Sequence, residues 1–243
     1  MTDDVSREAP SAPDVARRVF SDSLPLAERY AGRLATDGVL RGLIGPREVP
    51  RLWERHLVNC ALLGEAIPKE ADVCDIGTGA GLPGLVLAIA RPDLALTLVE
   101  PLLRRTTFLE EVLLTLGLAN VEVVRARAEE LHGSRAFSVV TSRAVAPLDR
   151  LLDWSMPLVR KGGWLMAMKG SSVHEEVESS AQALARHGAG SVRVTTHGGD
   201  VIDPPTTVLR VEATRPAPLG LEALEQASAG ARKKKPKARR KGR

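Results

Sequence analysis

The ten residues Asp75-Ile76-Gly77-Thr78-Gly79-Ala80-Gly81-Leu82-Pro83-Gly84 constrain this chain more than any other segment. They follow a short apolar run over 71–76 and lead into residues 81–90, which read as a helix with Pro83 near its first turn. Glycines at such a junction let backbone approach a ligand where a Cβ would collide, and they allow unusual φ values. The helix beyond offers unpaired N–H groups. Gly79, Gly81 and Gly84 also satisfy the GxGxxG spacing of dinucleotide-binding folds. A match of that length does not name the ligand.

The rest of the chain sets the context. Residues 94–99 and 121–124 read as strands flanking a long amphipathic helix over 102–116 that ends at Gly117. Strands follow at 137–141 and, after Gly162-Gly163, at 164–168, with helices expected at 148–159 and 173–187. Residues 192–196 and 207–213 read as a closing antiparallel pair. Seven strands alternating with helices imply an α/β fold with a mostly parallel sheet covered on both faces. Residues 14–70 lack strand alternation. Short helices broken at Pro25, Gly38 and Gly45-Pro46, then a longer one over 50–65, suggest an N-terminal helical cap. The expected organisation is a flexible leader over 1–13, the cap over 14–70, the α/β domain over 71–213, and a linker with a disordered basic tail over 214–243.

Several side chains fall where strands of such a sheet end. Asp75 precedes the loop, where a carboxylate can reach a cationic amino-acid portion of a ligand or a water bridging to it. Glu100 follows the second strand, where a carboxylate can accept both hydroxyls of a ribose; this suits a nicotinamide dinucleotide as well as a sulfonium nucleoside. Ala128-Glu129 follows the third strand, where an adenine-binding loop would lie. Ser142-Arg143-Ala144 follows the fourth, placing Arg143 in the ligand crevice of an open α/β sheet. Lys169, at the end of the fifth strand, is a candidate phosphate contact. His56 and Asn59 share a helix face that can approach the cleft, though a satisfied structural histidine is the plainer reading of His56.

Charge is distributed unevenly. The net charge is +4, yet residues 231–243 carry nine Lys or Arg and no acid, so the remaining 25 basic and 30 acidic residues leave a body near −5. The basic tail, with Lys233, Lys234 and Lys235, is the expected partner of phosphate backbone. Aromatic residues are 3% of the chain, too few for a base-stacking platform. The two cysteines, Cys60 and Cys74, form no CxxC pair and the five histidines are scattered, so neither a zinc site nor a disulfide framework is expected. No apolar signal core or membrane-spanning run is visible, and a cytoplasmic location without membrane association is the expectation.

Taken in order, the motifs resemble a known family. The run from Asp75 to Gly84, Glu100 with Arg104-Arg105 and Phe108-Leu109-Glu110, then Ala128-Glu129, Thr141-Ser142-Arg143-Ala144 and Met168-Lys169-Gly170 are similar to the bacterial glucose-inhibited-division protein B family. These are the RsmG small-subunit ribosomal RNA guanine-N7 methyltransferases. The segment Trp53-Glu54-Arg55-His56-Leu57-Val58-Asn59 also looks like a helix of that family, and the resemblance runs roughly from Leu24 to Val211. It implies a class I S-adenosylmethionine-dependent methyltransferase fold, Rossmann-like. It also implies cofactor contacts at Gly77, Leu82, Ala128, Glu129 and Arg143, beside the candidates Asp75, Gly79 and Glu100. The implied reaction is methylation of a guanine N7 in the 530-loop region of 16S ribosomal RNA (position 527 in the usual numbering), as RNA or within the 30S subunit; Lys169, Arg143 and the tail are the RNA contacts expected from position and charge alone. Family members often carry Asp where this chain has Glu100, and the tail lies beyond the resemblance.

Guanine N7 carries an in-plane lone pair and no proton, so no general base is expected and no catalytic acid or base is named. Other readings remain open from the residues: methyl transfer to another RNA, a protein or a small molecule; a nicotinamide-dependent oxidoreductase; or a non-catalytic RNA-binding module. Against the oxidoreductase, the only tyrosine is Tyr30, outside the sheet region, so no Tyr–Lys hydride-site pair is visible.

Overall fold

The computed structural model describes residues 9–217. Its centre is one seven-stranded sheet, formed by β1 (Asp72–Ile76), β2 (Ala95–Val99), β3 (Val121–Val124), β4 (Phe137–Arg143), β5 (Val159–Met168), β6 (Ala189–His197) and β7 (Thr206–Ala213) in the order β3-β2-β1-β4-β5-β7-β6. β1 pairs in parallel with β2 and β4, while β7 runs antiparallel between β5 and β6. The closing pair expected from the sequence is therefore present. Central β1 and β2 are covered on both faces, and all but the first residue of each is buried.

Helices cover both faces. One face carries α4 (Gly84–Ala90), α5 (Leu103–Leu116) and the N-terminal cap; the other carries α6 (Leu148–Ser155), α7 (Val173–Ser179) and α8 (Ala181–Arg186). In α5, Phe108, Leu109, Val112 and Leu116 recur at helical spacing and are all buried. The helix stops at Gly117, which takes a left-handed conformation (φ 68) and donates its N–H to the Leu113 carbonyl.

The cap contains α1 (Asp14–Phe20), α2 (Leu24–Arg33), a 3-10 segment (Pro46–Arg51), a π-helical segment (Leu52–Val58) and α3 (Asn59–Leu62). It shares one continuous core with the sheet: Tyr30, Leu34, Leu52 and Trp53 pack in the same cluster as Val73, Leu85, Leu98 and Phe108. Arg33 and Arg41 both grip Glu111 of α5, at 3.1 and 2.6 Å, and bind the cap to that helix.

The structure corrects several expectations. Residues 9–13, read as part of a flexible leader, are packed: Trp53 Nε1 donates to the Pro10 carbonyl at 2.7 Å and Ala12 is buried. Residues 1–8 and 218–243, including Lys233, Lys234 and Lys235, lie outside the described residues. Pro25 opens α2 instead of breaking it, because its fixed φ suits a first turn. The helix read over 50–65 begins at Pro46 and changes winding three times. The helix after the glycine loop begins at Gly84, since residues 79–83 are held in turns by bonds from the Gly81 and Leu82 amides to the Thr78 carbonyl. The segment 148–159 is helical only as far as Leu158; Val159 pairs with Phe137 and starts β5, whose backbone turns through Gly162 (φ 79) before the main ladder resumes at Trp164. The helix expected over 173–187 breaks at buried Ser180, where ψ rises to 12°.

Candidate active site

Chain order reverses across β1. The path moves outward through β2 and β3, then returns to place β4 on the other side. Ligands of open α/β sheets bind at the carboxyl ends of strands where the order switches. A cavity of about 1060 Å³ lies at that point. Gly77, Gly79 and Leu82 line one wall, Ser142, Arg143 and Val145 another, Met168 and Lys169 a third, and His56 and Asn59 of the cap close it.

The loop is held from beneath by Asp75. Its Oδ2 accepts from the Thr78 hydroxyl at 2.6 Å and the Gly84 amide at 2.8 Å. A Cβ at position 84 would run into Leu98 and the Asp75 carboxylate, so only glycine lets the helix start this close. Gly77, Gly79 and Gly81 all have positive φ, which turns the chain sharply. The Asp75 carboxylate is fully buried and its Oδ1 has no partner. Burial lifts its pKa to about 7; the Thr78 hydroxyl, the Gly84 amide and Arg143 pull the other way, while nearby Glu100 raises it further. Asp75 thus organises the loop directly, a role its sequence position did not announce.

Tyr30 supplies a second hold that the sequence reading missed. Its hydroxyl donates to the Ala80 carbonyl at 2.7 Å, in full burial, so the helical cap clasps the glycine loop. No local sequence signal marks this contact, which spans fifty residues. Tyr30→Phe leaves that carbonyl without its partner and is expected to cost about 1–3 kcal/mol in urea unfolding; unchanged stability would deny the clasp.

Arg143 lies in the last position of β4, one residue inside the strand instead of after it. Its guanidinium donates to His56 Nδ1 at 2.6 Å, to the Arg55 carbonyl at 3.2 Å and to Cys60 Sγ at 3.6 Å. His56 Nε2 lies 2.8 Å from Glu48 Oε2. With Nδ1 accepting, Nε2 carries the proton and donates to Glu48, which fixes the tautomer. Burial and then Arg143 lower the His56 pKa, opposed by Glu48, so the ring is neutral at physiological pH. The hydrogen bond from His56 in turn holds the Glu48 carboxyl below its usual range. Arg143 therefore reaches the cavity as a cation with no carboxylate within 4.0 Å among the described residues.

The remaining candidates divide. Glu100 is buried and accepts from the Gly79 amide (3.1 Å), the Leu102 amide (3.0 Å) and Arg105 (3.2 Å). It sits beneath the glycine loop without lining the cavity. Ala128 and Glu129 occupy a 3-10 turn after β3 and are likewise outside that lining. Lys169 does line it but is not a free cation: its Nζ is 2.6 Å from Glu176. The described residues contain no cluster of three or more potential metal ligands.

Residues 23–201 match the GidB family model, described as "rRNA small subunit methyltransferase G". The chain belongs to this family. Relatives support the assignment. The "Ribosomal RNA small subunit methyltransferase G" of Nocardioides sp. (strain ATCC BAA-499 / JS614) is 68% identical over 212 residues, covering 87% of this chain and 85% of the relative. The protein of the same name from Thermobifida fusca (strain YX) is 55% identical over 225 residues, covering 91% and 95%. Among solved structures, an O-methyltransferase family protein from Burkholderia thailandensis aligns with TM-score 0.52 at 14% identity, over 82% of this chain and 70% of that one. M. jannaschii TYW2, solved in complex with AdoMet, aligns with TM-score 0.52 at 14% identity, over 66% and 77%. At such identities these two speak for the fold alone. The GidB-family chain has the class I methyltransferase fold, with its glycine loop on the first strand and Arg143 on the fourth.

Proposed function

We propose that this chain transfers a methyl group from S-adenosylmethionine to N7 of a guanine in the 530-loop region of 16S ribosomal RNA, in the cytoplasm. The observation that carries the reading is the switch-point cavity, with the glycine loop on one wall and an arginine lacking a carboxylate partner on another.

The residues present fit the cofactor. Buried carboxylates of Asp75 and Glu100 lie under the loop, and the unpartnered Asp75 Oδ1 is suited to a cationic ligand. A Cβ placed on Gly79 would meet nothing nearer than the Gly77 carbonyl at 3.9 Å, which leaves room against the loop. Gly77, Gly79 and Leu82 would hold the amino-acid portion together with Asp75, Glu100 the ribose, and Ala128 with Glu129 the adenine. When bound, the cofactor supplies an electrophilic methyl group on a positively charged sulfur. Arg143 is suited to an anion, either the cofactor carboxylate or an RNA phosphate. Lys169 and the tail lysines Lys233, Lys234 and Lys235 are further phosphate contacts in this reading, with Lys169 exchanging Glu176 for phosphate.

The chain's chemical task is small. The N7 lone pair needs no base to expose it, so no side chain has to take a proton. The protein aligns nucleophile and methyl group in the cavity, and positioning of this kind supplies up to roughly 7–11 kcal/mol. Neutral His56 is too encumbered for proton transfer, with one nitrogen on Arg143 and the other on Glu48.

Mass mapping of 16S ribosomal RNA tests the proposal. A strain lacking the gene is expected to lose one methyl group from a 530-loop guanine, and the purified chain with S-adenosylmethionine to restore it. An intact modification in the deletion strain would remove the assignment.

A further inference from the structure

Three exposed arginines lie on the stretch of chain that leads into the cavity wall. Arg47, Arg51 and Arg55 recur every four residues through the segments Pro46–Arg51 and Leu52–Val58, and all three are exposed. Val49, Leu52, Trp53 and His56 of the same segments are buried, so the arginines stand on their solvent side.

The row leads to the site. Arg51 and Arg55 line a groove of about 510 Å³ together with Glu54 and Asp203. Arg55, Asn59 and Pro204 line both this groove and the 1060 Å³ cavity, so one opens into the other. Four arginines elsewhere are paired with carboxylates: Arg91 with Asp93, Arg135 with Glu122, Arg160 with Asp72 and Arg186 with Asp153, all at 2.6–3.0 Å. Arg47 and Arg51 have no carboxylate within 4.0 Å among the described residues, and Arg55 reaches Glu48 at 3.4 Å with half its side chain exposed.

We propose that Arg47, Arg51 and Arg55 form a track along which the phosphodiester backbone of the RNA substrate enters the methyl-transfer cavity. This rests on the ribosomal RNA reading above. Guanidinium groups match phosphate oxygens with paired hydrogen bonds and stay charged at every physiological pH. The four-residue advance from Arg47 to Arg51 along 3-10 winding is about 8 Å, comparable to the repeat of successive phosphates on an extended strand. Glu54 and Asp203, which line the same groove, repel phosphate and so favour contact at the guanidinium groups. Such contacts set register and orientation without reading bases.

The test compares the full chain with Arg47→Gln/Arg51→Gln and Arg47→Lys/Arg51→Lys. Binding to a 16S ribosomal RNA transcript and to 30S particles from a deletion strain is measured from 50 to 200 mM salt. The glutamine pair is expected to bind about 10-fold more weakly at low salt, with the slope of log affinity against log salt shallower by about 1.4, near 0.7 per lost phosphate contact. The lysine pair is expected to keep the wild-type slope. An unchanged thermal shift with S-adenosylmethionine reports that the variants fold; should the glutamine pair fail it, Arg51→Gln alone is read the same way, with half the slope change. Wild-type affinity and slope in the glutamine variant would overturn the track and leave the methyltransferase reading standing. A wild-type chain that binds neither probe would overturn that reading, and the track with it.

Discussion

Arg143→Ala is expected to reduce methylation of 16S ribosomal RNA by roughly 100-fold or more while the chain remains folded. Removing one charged partner from a desolvated, hydrogen-bonded pair costs several kcal/mol, and Arg143 is suited to such a partner on the ligand. The folded chain loses less. Its three acceptors are the Arg55 carbonyl, Cys60 Sγ and His56 Nδ1, and the cost is about 1–3 kcal/mol for leaving them unmet. Two measurements separate the candidate roles. If Arg143 holds the cofactor carboxylate, the thermal shift with S-adenosylmethionine shrinks; if it holds RNA, that shift persists and the RNA KM rises. His56 also loses the cation that depresses its pKa and keeps Glu48, so its titration, followed by NMR, moves upward. Wild-type turnover in this variant would remove Arg143 from the site.

The second large effect concerns pH. Asp75 titrates near 7 in the folded chain against an ordinary carboxylate value of 3.8. Below pH 3.8 both folded and unfolded chains hold the proton and the contribution to stability is complete. As pH rises the unfolded chain releases it first, and stability falls until the folded carboxyl ionises near 7. Three pH units correspond to a loss on the order of 4 kcal/mol. Asp75→Asn keeps an acceptor for the Thr78 hydroxyl and the Gly84 amide but does not titrate. Urea unfolding of this variant, without ligand, is expected to lack that decline between pH 4 and 7. An identical decline in both proteins would place the titration elsewhere. A cationic ligand favours the ionised carboxylate, so S-adenosylmethionine affinity in the wild type is expected to rise as pH passes through 7.

The opposite behaviour of Asp75 and His56 has one physical root. Burial penalises the charged form of each, raising the acid and lowering the base, and Arg143 lowers both. Arg143 is thus flanked by a buried carboxyl poised at neutrality beneath the glycine loop and by an imidazole kept neutral in the cavity wall. Tyr30 and Cys60 belong to the same cluster. Burial pushes the tyrosine hydroxyl well up and the Cys60 thiol to about 11, so neither is ionised at physiological pH.

The sequence by itself determined the sheet, the loop and the family. Strands buried on both faces read as short runs rich in apolar residues, α5 showed its period and its terminal glycine, and a ten-residue glycine turn joined a strand to a helix. Those signals are local, because hydrogen bonding and steric limits act on neighbouring residues. Packing decided the rest. Nothing near Tyr30 indicates that it clasps Ala80, nothing near Glu48 that it orients Arg143 through His56, and Lys169 carries no mark of its bond to Glu176. The same is true of Asp75, whose carboxyl is lifted by a burial that belongs to the whole core. These are contacts between segments distant in the chain or shifts set by the surrounding medium. Their energies depend on which surfaces meet, and that is fixed only once the cap and the sheet have closed on a common core.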